Sequence, residues 1–359
     1  MDNAYAVIMA GGLGERFWPL STSRRPKQMI SMFGGKSLMR MAVERLEGFI
    51  PVDNILVVTS ADHVEGTCDT APSLKRENVI GEPFGRDTAA AVALGSALVA
   101  ARDPGATFCV VTADHVIGDI DIFQQTLKDS MRLSLEQEVL ITMGIQPVFP
   151  STGFGYIDVG DPIHYDGTTE FSKARRFVEK PDAATAVDYV NAGHFYWNSG
   201  MFVWSVSAIQ NALNKYAPPL QSMAERMALV VGKPEFNDRL SEEYSQLEKI
   251  SIDYAIMEKA DNIVMAKGKF AWDDVGTWTA IANHFNADDA GNVIIGSCES
   301  LDSTSNIVMS EERVTALVGV SDLVVVQAEN ATLVCSKDHA QEIKKLVALL
   351  RDKGHDDLV

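Results

Sequence analysis

The first half of the chain is built from short, unbroken apolar runs that alternate with helical patterns, and few folds accept that arrangement. AYAVIMA (Ala4 to Ala10), NILVVTS (Asn54 to Ser60), NVIGEP (Asn78 to Pro83), TFCVVTAD (Thr107 to Asp114) and a run at Val139 to Met143 read as buried strands. Between them lie helical patterns near Ser37 to Glu47, Asp87 to Arg102 and Phe123 to Leu135. A strand covered on both faces reads as a continuous β-branched run. Such runs between helices predict an α/β fold, a Rossmann-like and mostly parallel sheet with helices on both faces. The middle of the chain is mixed, with strand-like pieces at Gly155 to Val159, Ala174 to Val178, Tyr196 to Trp204 and Ile263 to Trp272. Helical patterns occur there near Ala183 to Ala192, Ser207 to Lys215 and Ile252 to Lys259. After about Phe285 short β-runs alternate with turn residues and end in an amphipathic helix, His339 to Arg351. With 359 residues the chain exceeds one core. We expect a domain over 1–285 and a small, β-helix-like domain over 286–359 that serves dimerisation.

The net charge of −18 argues against nucleic acid and anionic membranes as partners. No apolar stretch approaches the roughly 18 residues needed to span a bilayer. The start, MDNAYAVIMAGG, reads as a buried strand and not as a signal peptide. Cys68, Cys109, Cys298 and Cys335 are widely spaced and read as reduced thiols of a cytoplasmic protein. The charge is uneven, however. From Arg16 to Val43 there is no acid, while Arg16, Arg24, Arg25, Lys27, Lys36 and Arg40 are basic. A local positive field in an acidic chain points to a small anionic ligand.

That field surrounds MAGGLGERFWPLSTSRRPKQMI, Met9 to Ile30. The segment follows the first strand, at the sheet edge where α/β proteins bind ligands. Gly11, Gly12 and Gly14 let backbone N–H groups approach phosphate oxygens. Arg16 and Lys27 add charge-assisted hydrogen bonds. Two familiar glycine motifs do not fit. A dinucleotide fingerprint counted from Gly12 needs glycine where Phe17 stands, which removes a nicotinamide oxidoreductase. A P-loop ending in Gly35-Lys36-Ser37 needs glycine at Ile30. Asp114, closing TADH, is placed either to hold Mg²⁺ or to form a turn, and Asp273-Asp274 is a second acidic pair.

The string GGLGERFWPL followed by RPKQ resembles the signature of the sugar 1-phosphate nucleotidylyltransferases. Gly11, Gly12, Gly14, Arg16, Pro19, Leu20 and Lys27 match it position by position. Phe17-Trp18-Pro19 and Pro26-Lys27-Gln28 resemble the mannose-1-phosphate guanylyltransferase branch. The resemblance continues through GEPFGRDTAAA, TADHVI, TGFGYI, FVEKP, WNSGMF, SISIDYAIMEK and WDDVGTW. It departs at Asp87 and Ala90, where relatives often carry asparagine and proline. It implies transfer of GMP from GTP to mannose 1-phosphate, with Arg16, Lys27 and Lys180 as catalytic residues. Asp114 and Asp274 would share Mg²⁺ or another divalent cation. Glu82, Pro83, Asp87 and Thr88 would form the base edge; Gly155, Glu179 and Asn198 would contact the sugar. A homodimer is implied. The alternatives are a heptose 1-phosphate guanylyl enzyme, a glucose-type uridylyl or thymidylyl enzyme, or a non-catalytic regulatory subunit that binds nucleotide sugars. The chain is also expected to lack the isomerase domain of longer, bifunctional relatives.

Overall fold

The computed structural model describes residues 3–359. Contacts group them into two compact units. One comprises the residues up to Gly11, Ala42–Ala113 and Ile117–Trp272; the other comprises Gly12–Met41, Asp114–Val116 and Asp273–Val359. These packing units do not run along the chain as a division at residue 285 does.

The first unit carries a nine-stranded sheet. Its strands are β1 (Ala4–Ala10), β2 (Ile55–Ser60), β3 (Val79–Glu82), β4 (Thr107–Thr112), β5 (Leu140–Ile145), β6 (Tyr156–Ile163), β7 (Phe171–Val178), β8 (Phe195–Ser205) and β9 (Ile263–Gly268). Their spatial order is β3-β2-β1-β4-β8-β5-β9-β7-β6. The four strands β3, β2, β1 and β4 are mutually parallel. Strand β8 is antiparallel to β4 and β5, and β7 is antiparallel to β9 and β6. The Rossmann-like parallel half is therefore extended into a mixed sheet.

Helices cover both faces, as the continuous runs require. Tyr5, Val7, Phe108 and Val110 share a core with the helix Thr88–Arg102. That helix is apolar all round and buried from Ala89 to Val99. Thr107, on the face opposite Phe108, bonds Ser134 of the helix Ile120–Glu136 at 2.7 Å. The helices Val64–Thr70, Pro218–Ala228 and Phe236–Ser245 have no counterpart in the sequence reading. The pattern near Ile252 becomes a π-helical turn, Asp253–Met257.

In the second unit β10 (Val293–Leu301), β11 (Ile307–Val318) and β12 (Leu323–Gln327) are parallel neighbours, and β13 (Thr332–Ser336) closes the sheet antiparallel. Parallel strands in a flat sheet need a crossover of roughly a dozen residues. Here the connections are far shorter, which requires the chain to coil as a β-helix. Buried asparagines form a ladder at the turns. Asn292 Oδ1 accepts from Asn306 N at 2.9 Å, and Asn306 Oδ1 accepts from Leu323 N at 3.0 Å. Among the described residues no helix is long and apolar enough to cross a membrane.

Candidate active site

The glycine loop is held by the apolar core of the second unit. Phe17, Trp18, Leu20 and Ile30 pack with Trp278, Ile307, Val324, Ile343, Val347 and Val359. Trp18 Nε1 donates to Leu358 O at 2.8 Å, and Ser23 Oγ to Val359 O at 2.8 Å. The loop therefore rests on the last residues of the chain.

Above that core lies a cavity of about 450 Å³, lined by Gly14, Arg16, Lys27, Asp114 and Asp274 among others. Gly14 lies in the left-handed region, φ 69°, and a Cβ there would stand 2.3 Å from Lys27 Cβ. No other residue fits. Lys27 is 3% exposed. Its ammonium donates to Asp114 Oδ2 at 3.2 Å and to Asp274 O at 2.8 Å, and lies 5.2 Å from the Phe17 ring centre. Arg16 is exposed to the cavity. Burial raises the Asp114 carboxyl, but the Lys27 ammonium and His115 outweigh it and hold it below its ordinary value. Burial pushes the Asp274 carboxyl up to about 6; the Lys27 ammonium opposes this, while Asp273 and Asp114 add repulsion. Val275, β-branched and at φ 47°, makes the strained turn after Asp274. Asp273 is spent on structure: it accepts from Val275 N at 2.7 Å and contacts His284 Nε2 at 2.9 Å.

The first unit gathers the remaining predicted residues into two groups. In one, Glu82 at the end of β3 is buried, and its Oε1 accepts the Tyr244 phenol at 3.0 Å. Burial pushes its carboxyl up to about 7 against the lowering effect of that phenol. A Cβ on Gly11 would stand 3.6 Å from Glu82 Oε2, so that oxygen is close to the end of β1. Asp87, at φ 67°, caps the following helix by accepting from Thr88 N at 2.8 Å. Thr88 Oγ1 accepts from Ile252 N at 2.9 Å. Pro83 continues the same edge after Glu82.

In the other group, Gly155 lies against Glu179, whose Oε2 would stand 2.3 Å from a Cβ built there. Gly155 O accepts from Asn198 N at 2.8 Å. Asn198 Oδ1 accepts from Thr142 Oγ1 at 3.0 Å and from Gly200 N at 3.2 Å. Its Nδ2 donates to Asp253 Oδ1 at 3.0 Å. Lys180, left-handed at φ 46°, ion-pairs with Glu179. Burial lowers the Lys180 ammonium, but Glu179 more than compensates and the net shift is upward. Sequence reasoning missed Asp253. Burial and then the Glu179 charge push its carboxyl up to about 7. An acid inside the apolar run IDYAIM was the available signal. Tyr244, which holds Glu82, was also missed. Gly12 has open space around it, and a Cβ there would meet nothing within 4 Å.

Comparison with known proteins bears on the family of the chain. The family model described as nucleotidyl transferase matches residues 5–291. A second, described as a mannose-phosphate isomerase/GMP-like β-helix domain, matches residues 296–350. Mannose-1-phosphate guanylyltransferase of Escherichia coli K12 is 34% identical over 98% of this chain and 74% of its own length. Mannose-1-phosphate guanylyltransferase 2 of Escherichia coli O157:H7 is 33% identical over 96% of this chain and 73% of its own. A solved structure described as the mannose-1-phosphate geranyltransferase of Thermus thermophilus superposes with a TM-score of 0.86. It is 34% identical, over 97% of this chain and 99% of that one. The fold and the loop thus define a nucleotidyl transferase. Within that class, the chain belongs to the mannose-1-phosphate guanylyltransferase family.

Proposed function

We infer that the chain transfers GMP from GTP to α-D-mannose 1-phosphate, forming GDP-mannose and pyrophosphate. One observation carries the mechanism: two cations, Arg16 and Lys27, meet two carboxylates, Asp114 and Asp274, in one cavity floored by a glycine turn. A phosphate oxygen of mannose 1-phosphate attacks the α-phosphorus, the bond to the β-phosphate breaks, and pyrophosphate leaves. The nucleophile is already anionic, so no general base is needed. Catalysis rests on positioning and charge neutralisation. Arg16 and Lys27 neutralise the triphosphate, and Gly12 and Gly14 let the backbone approach it, with Gly11 at the head of the loop.

Among the described residues no cluster of three or more metal-ligating side chains occurs. Two carboxylates that repel each other suit Mg²⁺, which takes one or two carboxylates and completes its shell with phosphate and water. Asp114 and Asp274 would hold it. When bound, it supplies positive charge to the reacting phosphates.

Glu82, with one oxygen held by Tyr244, accepts from guanine N–H groups, and Pro83, Asp87 and Thr88 complete the base edge. Lys180 holds the sugar phosphate; Glu179, Gly155 and Asn198 face the sugar. Residues 1–285 form the catalytic domain and 286–359 a distinct module, a division supported by the change of family model between residues 291 and 296. That module also pairs two copies of the chain. Leu301 and Val318, partners in register, are 60% and 67% exposed, and a second copy would cover them. A cytoplasmic location fits the four free thiols. The reaction is tested by pyrophosphate release over a matrix of nucleotides and sugar phosphates. GTP with mannose 1-phosphate should give the highest kcat/KM. A higher value for a heptose 1-phosphate, or for UTP or dTTP with glucose 1-phosphate, would overturn the substrate assignment.

A further inference from the structure

The cavity that holds Lys27 also receives a residue from far along the chain. Lys344 lines it together with Arg16, Lys27, Asp114 and Asp274. The placement follows from how its helix, Ile343–Asp352, is fixed. Ile343 and Val347 lie one turn apart, are 3% and 2% exposed, and share a core with Phe17 of the loop. At the far end Arg351 Nη1 bonds Glu15 Oε1 at 2.6 Å. The helix is thereby held against the turn Glu15–Phe17 at both ends. Lys344 stands one position after Ile343, about 100° round the helix, at the border of the buried face.

Its neighbours spend their charges elsewhere. Lys345 pairs with Glu342 at 3.4 Å, and Arg351 with Glu15. Lys344 itself is exposed and makes no hydrogen bond or ion pair among the described residues. In the cavity, Lys27 is already committed to Asp114 and to the Asp274 carbonyl. Arg16 and a Lys27 whose charge is shared with Asp114 cannot between them neutralise a triphosphate beside two carboxylates. A flexible ammonium at the mouth supplies the missing charge, and a lysine serves well as a mobile point charge for phosphate.

We propose that Lys344 binds the pyrophosphate portion of GTP, the leaving group of the reaction. The inference rests on assigning the cavity to the triphosphate. The ammonium donates to β- and γ-phosphate oxygens, where negative charge grows as the bond between the α- and β-phosphates breaks. No proton is transferred. The C-terminal helix thus supplies a binding residue as well as support for the loop.

The test uses the full chain with Lys344→Ala, Lys344→Arg, Lys345→Ala and Lys27→Met. KM is measured for GTP and mannose 1-phosphate in the forward direction, and for pyrophosphate in reverse. Alanine at an exposed helical position preserves the fold, and melting curves check it. Lys344→Ala should raise KM for GTP and for pyrophosphate about tenfold, as loss of one charge-assisted bond implies. KM for mannose 1-phosphate should stay within about twofold, Lys344→Arg should recover most of the loss, and Lys345→Ala should match wild type. If Lys344→Ala matches wild type while Lys27→Met is impaired, the proposal is wrong and the cavity assignment stands. If Lys345→Ala is equally impaired, the effect is a general surface field and the proposal is wrong. If Lys27→Met also leaves GTP kinetics intact, the cavity assignment falls and takes the proposal with it.

Discussion

Lys27→Met isolates the ammonium, because methionine keeps most of the apolar stem. Two effects must be separated. The ammonium makes two hydrogen bonds from a site that is 3% exposed, at 3.2 Å to Asp114 and 2.8 Å to the Asp274 carbonyl. Breaking a fully buried ion pair costs about 3–5 kcal/mol. The Asp114 side chain is 40% exposed, so water can take over much of its solvation. We therefore expect about 2 kcal/mol of lost stability, nearer the cost of an unmade hydrogen bond. That lowers the melting temperature by roughly 4–8 °C. The catalytic effect is separate. Removing one preorganised donor from developing charge costs about 2–4 kcal/mol, roughly 30- to 900-fold in rate. Thermal melting followed by circular dichroism fixes a temperature at which the variant is fully folded. Steady-state pyrophosphate release at that temperature gives the rate. Turnover within about threefold of wild type would refute the role of Lys27 in charge neutralisation. An unchanged melting temperature would refute the burial argument alone.

Three further outcomes follow from the same geometry. Asp274→Asn should lose most divalent-ion-dependent turnover with little loss of melting temperature. Asp273→Asn should keep its metal titration but melt lower, since Asp273 holds Val275 N and His284; the reverse pattern would exchange their roles. KM for GTP should rise as pH falls through about 7, because the Glu82 carboxyl held there by burial takes up a proton and loses an acceptor. Tyr244→Phe removes a lowering contact, so that midpoint should move to higher pH. Because the folded value is raised, stability from Glu82 is present below its ordinary value of 4.5 and is lost as pH rises through about 7. The free protein's stability should thus run opposite to its GTP affinity, and a flat KM profile would remove Glu82 from base recognition. Ending the chain at residue 285 should abolish turnover, not only alter mass in solution, because it removes Ile307, Val324, Ile343 and Val347 from the core under the loop. An active truncated protein would contradict that dependence.

The parallel half of the sheet was legible because strands buried on both faces leave unbroken apolar runs; β1 at Ala4–Ala10 coincides with the run that predicts it. The helix Ala183–Ala192 was equally plain, capped by Asp182 and ended by Gly193 in the left-handed region. The helix Pro218–Ala228 was missed although its signals were present, with proline at its first positions and Leu220, Met223, Ala224 and Met227 at helical spacing. The coil of the C-terminal domain also left a trace, since Asn292 and Asn306 stand fourteen positions apart and stack. Lys27 was not legible as a buried residue. A lysine in a polar, glycine-flanked string looks solvated, and the Asp114 and Asp274 that bury it lie 87 and 247 positions away.

The phosphate loop looks self-contained in the sequence because its glycines and cations are contiguous. Its packing says otherwise. A loop that must keep Gly14 in the left-handed region and Lys27 out of water needs a rigid floor. Phe17, Trp18, Leu20 and Ile30 provide its upper half. The lower half comes from β11, β12 and the helix Ile343–Asp352, and the chain end itself accepts the Trp18 indole and the Ser23 hydroxyl. Each of these contacts joins opposite ends of the chain, so no local motif could announce it. The physical consequence is that the β-helix module cannot vary independently of catalysis. A cavity made at Val347, where the side chain is 2% exposed, would loosen the turn that aims Arg16 without touching any substrate. Loss of activity from such a change would look catalytic while arising in packing, and restoring volume at Val347 should recover it without altering the loop.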